Sequence, residues 1–250
     1  MATDRALLVA AGGGIGDTLL AGVVARALRA HYAAVDAVVL PAHVQLAGHI
    51  PALQRVIPLG ERLPARYDAA VVTWATLRTA LLPFNARIPV RVGQARRLYS
   101  PLFSHRVVIR SELGDRTTHW TEILLDYARA IGCDLADLRP EFVLHPDDEV
   151  SAETLLRVHD VAGEFYLLHP TRGLSAHHAR WPTDAFADLA RKLNARDAVP
   201  VLVSGAPDDR AIAETIAERA GRRTIPIAGA TSIGVFAALA ARGQIGRAHV

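Results

Sequence analysis

Short apolar runs alternate along the chain with longer stretches in which apolar residues recur every three or four positions. Runs of the first kind suit strands buried on both faces, and patterns of the second kind suit helices packed over them. Strands are predicted at Ala6–Ala11, Ala37–Leu40, Ala69–Thr73 and Val90–Val92, then at Phe165–His169, Val199–Val203 and Thr224–Ile227. A helix over Asp17–Tyr32 would turn Leu20, Val23, Val24, Ala27 and Leu28 to one side. Another, over Thr118–Ile131, would do so with Ile123, Leu124, Tyr127 and Ala130 and end at Gly132. Further helices are expected over Ser151–His159, from Thr183 onward, and over Ile233–Arg242.

This alternation of strand and helix predicts an α/β fold with parallel sheets. Around Leu138–Asp148 the run Arg-Pro-Glu-Phe-Val-Leu-His-Pro-Asp-Asp reads as a connector. It separates an N-terminal Rossmann-like domain, residues 1–145, from a C-terminal one, residues 150–244, with a ligand cleft expected where the two face each other.

Composition narrows the function. With 250 residues, 51% of them hydrophobic, the chain has enough apolar material for two modest cores. Its one cysteine, Cys133, excludes an internal disulfide framework and a cysteine-based zinc site, and it fits a reducing compartment, so the cytoplasm is the expected location. The apolar run Ala6–Ala11 is too short to span a membrane. The pI is near 9.4, yet the net charge is only +3, the arginines are dispersed among acids, and Lys192 is the sole lysine. That pattern argues against a nucleic-acid partner and leaves room for attraction to anionic lipid, hence for peripheral contact with the inner face of an inner membrane.

The first strand is followed by Ala11-Gly12-Gly13-Gly14-Ile15-Gly16-Asp17-Thr18, a glycine-rich turn into a helix. Such a turn lets a ligand approach the backbone closely. Gly12 and Gly14 begin a G-x-G-x-x-G fingerprint, but its last position holds Asp17, whose carboxylate would repel a pyrophosphate, so an NAD site is disfavoured. Asp17 has two compatible readings: a cap on the helix N–H groups, and a base held at the ligand edge of the sheet.

In the second half, the predicted strand ending at His169 runs into Pro170-Thr171-Arg172-Gly173-Leu174-Ser175-Ala176-His177-His178-Ala179-Arg180-Trp181-Pro182. Hydroxyls, arginines and imidazoles gathered in one strand-to-helix loop either form an ordinary polar loop, with Trp181 as a packing anchor, or bind phosphate. A metal site at His169, His177 and His178 has no support from a helical His-Glu-x-x-His pattern or an Asp-x-Asp pair, so no metal or cofactor is expected. The next strand ends in Ser204-Gly205-Ala206-Pro207-Asp208-Asp209, where Asp208 would serve as an N-cap.

Together, Gly14-Ile15-Gly16-Asp17-Thr18-Leu19-Leu20 followed by Arg26-Ala27-Leu28-Arg29, the passage from His169-Pro170 to Arg180-Trp181-Pro182, the Gly205-to-Asp209 turn and Gly229-Ala230-Thr231-Ser232 resemble glycosyltransferase family 9. The resemblance covers nearly the whole chain. It implies a GT-B fold with the second domain incomplete, and inverting transfer of a heptose or related sugar from an ADP-sugar to a lipid-linked glycan such as lipopolysaccharide core. By that similarity Asp17 is the general base, and Thr171, Arg172, Arg180 and Asp209 bind the donor. Gly14, Gly16 and His119 would contact the acceptor. The chain departs from the family at Ala179, where many members carry lysine, so Arg172, Arg180 or a histidine would have to meet the leaving-group charge. The ending Ile-Gly-Arg-Ala-His-Val reads as a non-native tail over residues 245–250, and a further strand is expected beyond Arg242 that the sequence does not clearly supply.

Overall fold

The computed structural model describes residues 4–170 and 181–245, and internal contacts divide the chain into two units, 1–143 and 144–250. Both have the expected α/β build, with parallel sheets.

The first unit runs β1 (Arg5–Ala10), α1 (Ile15–Leu20), α2 (Gly22–Arg29), β2 (Ala34–Val39), α3 (Val44–Gly48), β3 (Arg55–Pro58), β4 (Ala69–Val72), α4 (Leu77–Asn85), β5 (Val90–Gln94), β6 (His105–Val107) and α5 (Trp120–Arg129). Its six strands are all parallel, in the order β3-β2-β1-β4-β5-β6. Side chains of a strand point to alternate faces, and β1 shows it plainly. Ala6, Leu8 and Ala10 join a core with α2 and α5, while Leu7 and Val9 join a second core with Tyr67, Ala80 and Phe103. Three layers result, with the sheet in the middle.

The second unit runs α6 (Pro146–Val158), β7 (Tyr166–Leu168), α7 (Thr183–Asp197), β8 (Val201–Val203), α8 (Arg210–Ala220), β9 (Thr224–Pro226), α9 (Ile233–Arg242) and β10 (Gln244–Ile245). Its sheet has the order β10-β7-β8-β9. Leu167 and Leu202 face a core with α6 and α9, and Leu168, Val201 and Val203 face one with α7 and α8.

Several expectations change. The single helix over Asp17–Tyr32 is interrupted at Ala21, where Gly22 opens α2 against Ile50; a Cβ there would lie 3.4 Å from the Ile50 side chain. Strands β3 and β6 were not anticipated, because as sheet edges they expose Arg55, His105 and Arg106 and so lack an apolar run. The helix expected from Ser151 starts five residues earlier, at Pro146, whose ring favours a first helical position. The strand thought to be missing after Arg242 exists as β10, which pairs in parallel with Tyr166 and Leu167. Ile245 therefore belongs to the fold, and residues 246–250 lie outside the described residues.

A carboxylate is sealed into the first sheet. Asp36, near the start of β2, is wholly buried, and Arg5 at the start of β1 donates to both its oxygens at 3.1 and 2.9 Å. The Tyr67 hydroxyl donates to Asp36 at 2.8 Å, and burial together with that bond pushes the Tyr67 pKa above its ordinary value. A buried carboxylate stripped of its charge complement leaves its partners unsatisfied in a low dielectric. Asp36→Asn is expected to lower the unfolding free energy in urea by roughly 3 kcal/mol; a loss below about 1 kcal/mol would show that the charge does not hold the strand starts together.

Candidate active site

The first sheet has the strand order 3-2-1-4-5-6, so successive crossovers run in opposite directions from β1 and from β4. Ligands in open α/β sheets collect outside the carboxyl ends of the strands at this switch. The two segments that leave β1 and β4 here are the glycine loop and Thr73-Trp74-Ala75.

They touch. A Cβ on Gly12 would fall 1.6 Å from the Trp74 carbonyl oxygen, so only glycine allows this approach. Trp74 itself adopts a left-handed backbone, φ 49°, which turns that carbonyl toward the loop side of the strand. A Cβ on Gly13 would lie 2.4 Å from Asp17 Oδ2, and the Gly14 N–H donates to the same oxygen at 2.7 Å. The capping reading of Asp17 is thus realised in detail. Asp17 Oδ1 takes no hydrogen bond among the described residues, and the side chain is half-buried. The loop N–H that a pyrophosphate would require is already committed to a carboxylate.

Beneath the loop, the buried Thr18 hydroxyl lies 2.8 Å from His43 Nδ1 and within reach of the Ala10 and Gly14 carbonyls. His43 closes the short turn Pro41–His43 after β2, so the segments that follow β1 and β2 meet at this point. Burial pushes the His43 pKa down, against the opposing pull of the Asp17 charge.

Gly14 and Gly16 present open backbone: a Cβ on Gly16 would meet nothing within 4 Å, and one on Gly14 only Asp17 Oδ2 at 3.7 Å. His119 is the N-cap of α5, with Nδ1 accepting from the Thr121 N–H at 3.3 Å. The preceding loop is drawn tight by Asp115, which accepts from the Thr118 hydroxyl at 2.5 Å and from the Thr117 and Thr118 N–H groups; these bonds hold its carboxyl well below the usual range.

Two residues at this edge escaped the sequence reading. Trp120, next to His119, sets its ring edge-on to Trp74 at 5.1 Å, and the Trp74 indole N–H is buried with no hydrogen-bond partner. Nothing local links residues 74 and 120; a tryptophan directly after a predicted strand was the only available hint.

In the second unit, Asp209 is buried and its Oδ2 accepts from the Ala206 N–H at 3.1 Å. It is Asp209 and not Asp208 that caps this turn, since Asp208 points to solvent. His169 at the end of β7 places Nδ1 2.9 Å from the Ser204 hydroxyl, and desolvation lowers its pKa while Asp209 pulls the other way. Trp181 packs edge-on to Phe186 at 5.3 Å. Thr171, Arg172 and Arg180 lie outside the described residues. Among the described residues no group of three or more His, Cys, Asp or Glu side chains could hold a metal ion.

The chain matches the family model described as glycosyltransferase family 9 (heptosyltransferase) over residues 56–245. It belongs to glycosyltransferase family 9. The matched span starts after the glycine loop.

Solved structures agree on the fold, which is the GT-B type with two Rossmann-like units. The glycosyl transferase family 9 protein from Veillonella parvula DSM 2008 superposes with a TM-score of 0.82 at 16% identity, covering 98% of this chain and 74% of that one. E. coli ADP-heptose lps heptosyltransferase II gives 0.78 at 20% identity, covering 96% and 78%. E. coli heptosyltransferase WaaC with ADP gives 0.71 at 18% identity, covering 96% and 80%. A comparison with curated proteins finds no match. This family 9 chain is accordingly a glycosyltransferase. No helix among its described residues is long and apolar enough to cross a membrane.

Two outcomes follow from the loop. Gly12→Ala should lower the unfolding free energy by roughly 1–3 kcal/mol, because a backbone carbonyl must move. Gly16→Ala, inside α1 and facing open space, should leave it unchanged or raise it by up to about 1 kcal/mol. Urea titration of both distinguishes a glycine required by packing from one that is not. For His43 the sign is fixed by its lowered pKa: the unfolded chain takes up a proton near pH 6.5 that the folded chain resists, so stability is full above about 6.5 and falls as the pH drops below it. His43→Gln should flatten part of that decline in the urea midpoint, and equal slopes in the two proteins would remove His43 as a source.

Proposed function

We propose that this family 9 glycosyltransferase moves a heptose or a related sugar from an ADP-sugar to lipopolysaccharide core or a similar lipid-linked glycan, inverting the anomeric centre. The first unit binds the acceptor and carries the base, Asp17; the second binds the nucleotide-sugar. Support for the donor comes from relatives whose structures are described as ADP-heptose lps heptosyltransferase II and as a heptosyltransferase with ADP.

The observation that carries the reading is the state of the Asp17 carboxylate. One oxygen is fixed by the Gly14 N–H, so the group keeps a defined orientation, and Oδ1 is left without a hydrogen bond among the described residues at the sheet's switch point. In the reaction Asp17 takes the proton of the acceptor hydroxyl as that oxygen bonds to the anomeric carbon. The bond from that carbon to the diphosphate oxygen breaks, and ADP departs with the electron pair. General-base assistance of this kind contributes roughly 10²- to 10⁴-fold.

Gly14 and Gly16 let the acceptor approach the backbone, and His119 offers its remaining ring nitrogen to an anionic group. Thr171, Arg172 and Arg180 are the donors assigned to the departing diphosphate, with Asp209 as a ligand of the nucleotide. No cofactor is required, because the ADP-sugar is itself a substrate. The chemistry takes place in the cytoplasm, where nucleotide-sugars are made, at the inner face of a membrane that holds the acceptor.

Asp17→Asn tests the base directly. With ADP-heptose and a lipid-linked glycan acceptor, turnover followed by mass spectrometry should fall by roughly 10²- to 10⁴-fold, while ADP affinity measured by calorimetry stays as in the unaltered chain. Turnover within about threefold of the unaltered chain would remove Asp17 from the role.

A further inference from the structure

The second sheet has a switch of its own. From β7 the chain steps to β8 and β9 on one side, and β10 then returns to the other side of β7. Ligands of open parallel sheets collect outside the carboxyl end of the strand where the order reverses, which here is the end of β7. The residue that stands there is His169, and its ring is exposed although two neighbours fix it.

The first neighbour is Ser204, directly after β8 and wholly buried, in register beside it because Leu168 pairs with Val203. The Ser204 N–H and hydroxyl both donate to the Leu168 carbonyl, at 2.8 and 3.0 Å. A hydroxyl has one hydrogen. With that hydrogen on Leu168, the Ser204 oxygen can only accept from His169 Nδ1, at 2.9 Å. The reverse arrangement would set two oxygens against each other with no proton between them. The neutral ring therefore holds its proton on Nδ1 and leaves a lone pair on Nε2. The second neighbour is Phe236 of α9, whose ring lies 5.2 Å away and limits rotation of the imidazole.

Nε2 makes no hydrogen bond among the described residues. The charge that acts on the ring is Asp209, on the turn after β8, and it favours a second proton where burial resists one. Ser204 brings a hydroxyl and α9 brings an uncharged ring. Arg172, His177, His178 and Arg180, on the segment that follows, lie outside the described residues. Toward an oxyanion the neutral ring would present a lone pair, whereas the doubly protonated ring presents a charged N–H.

We propose that His169 is a proton-gated contact for the diphosphate of the nucleotide-sugar: as the donor binds, Nε2 takes a proton from solvent and directs it to a diphosphate oxygen, while Ser204 acts as a positioning residue that holds the ring in that orientation. The inference rests on the reading of the second unit as the donor-binding unit, and it adds a residue which that reading does not use.

Calorimetry of the full chain with ADP-heptose, in the absence of acceptor, tests it. Both phosphates of this ligand are esterified, so the ligand itself does not titrate near neutral pH. Comparison of PIPES and Tris buffers, which differ in ionisation enthalpy, should show uptake of roughly half a proton per ligand bound at about pH 7. A proton gained on binding makes the affinity greatest at low pH and removes it as the pH rises, by roughly threefold per unit between about pH 6 and 8. His169→Gln should bind with no proton exchange and with that pH dependence gone. Nitrogen-15 NMR of the free, unaltered chain should find the neutral ring protonated on Nδ1, and Ser204→Ala should give a mixture of both tautomers. Binding without proton uptake would place a hydroxyl against Nε2 and overturn the proposal, as would equal uptake in His169→Gln or a free ring protonated on Nε2; each leaves the donor reading standing. An unaltered chain with no affinity for ADP-heptose would overturn both.

Discussion

The first unit's site depends on the contact of Gly12 with the carbonyl of Trp74. A parallel sheet fixes where β1 and β4 end, but it does not bring the segments beyond them into contact. That requires a residue with no side chain at the point of closest approach, and a carbonyl turned by a left-handed tryptophan. Once the loop is folded down there, Gly13 passes over Asp17 and the Gly14 N–H, at the N-cap of α1, meets the carboxylate. The Asp17 carboxylate is aimed by backbone geometry, with little contribution from neighbouring side chains.

The same local device occurs elsewhere in the chain. Asp17, Asp148 and Asp209 each accept the N–H of the residue three positions earlier, at Gly14, His145 and Ala206. As a way to start a helical turn the motif is ordinary. The surroundings differ: Asp209 is buried under its turn, whereas Asp17 keeps partial access to solvent at the switch of a sheet. A capping pattern in a sequence therefore identifies where a carboxylate will be held, and exposure decides whether it is also free to take a proton.

This explains which features could be read in advance. Strands β1, β2 and β4 are covered on both faces, so burial writes itself into an unbroken apolar run. Edge strands β3 and β6 are covered on fewer sides and tolerate arginine and histidine, and their short segments look like loop. The pair Gly16-Asp17 stood out because glycine and aspartate at a strand-to-helix turn have specific physical uses. The Trp74 and Trp120 contact did not, because it joins residues 46 positions apart through tertiary packing alone. Asp208 and Asp209 were indistinguishable as caps until the turn geometry placed one inside and the other outside.

At the opposite end of the first sheet, Arg5, Asp36 and Tyr67 lock the entry of β1, the start of β2 and the approach to β4 into one charged knot. Asp36 is the partner the other two share, so altering it alone leaves the Arg5 and Tyr67 donors without their acceptor. Descendants of this sequence would consequently have to change that corner in concert or leave it alone. The floor of the sheet is thus settled as a unit, a constraint on descent that no single substitution at Asp36 can relax.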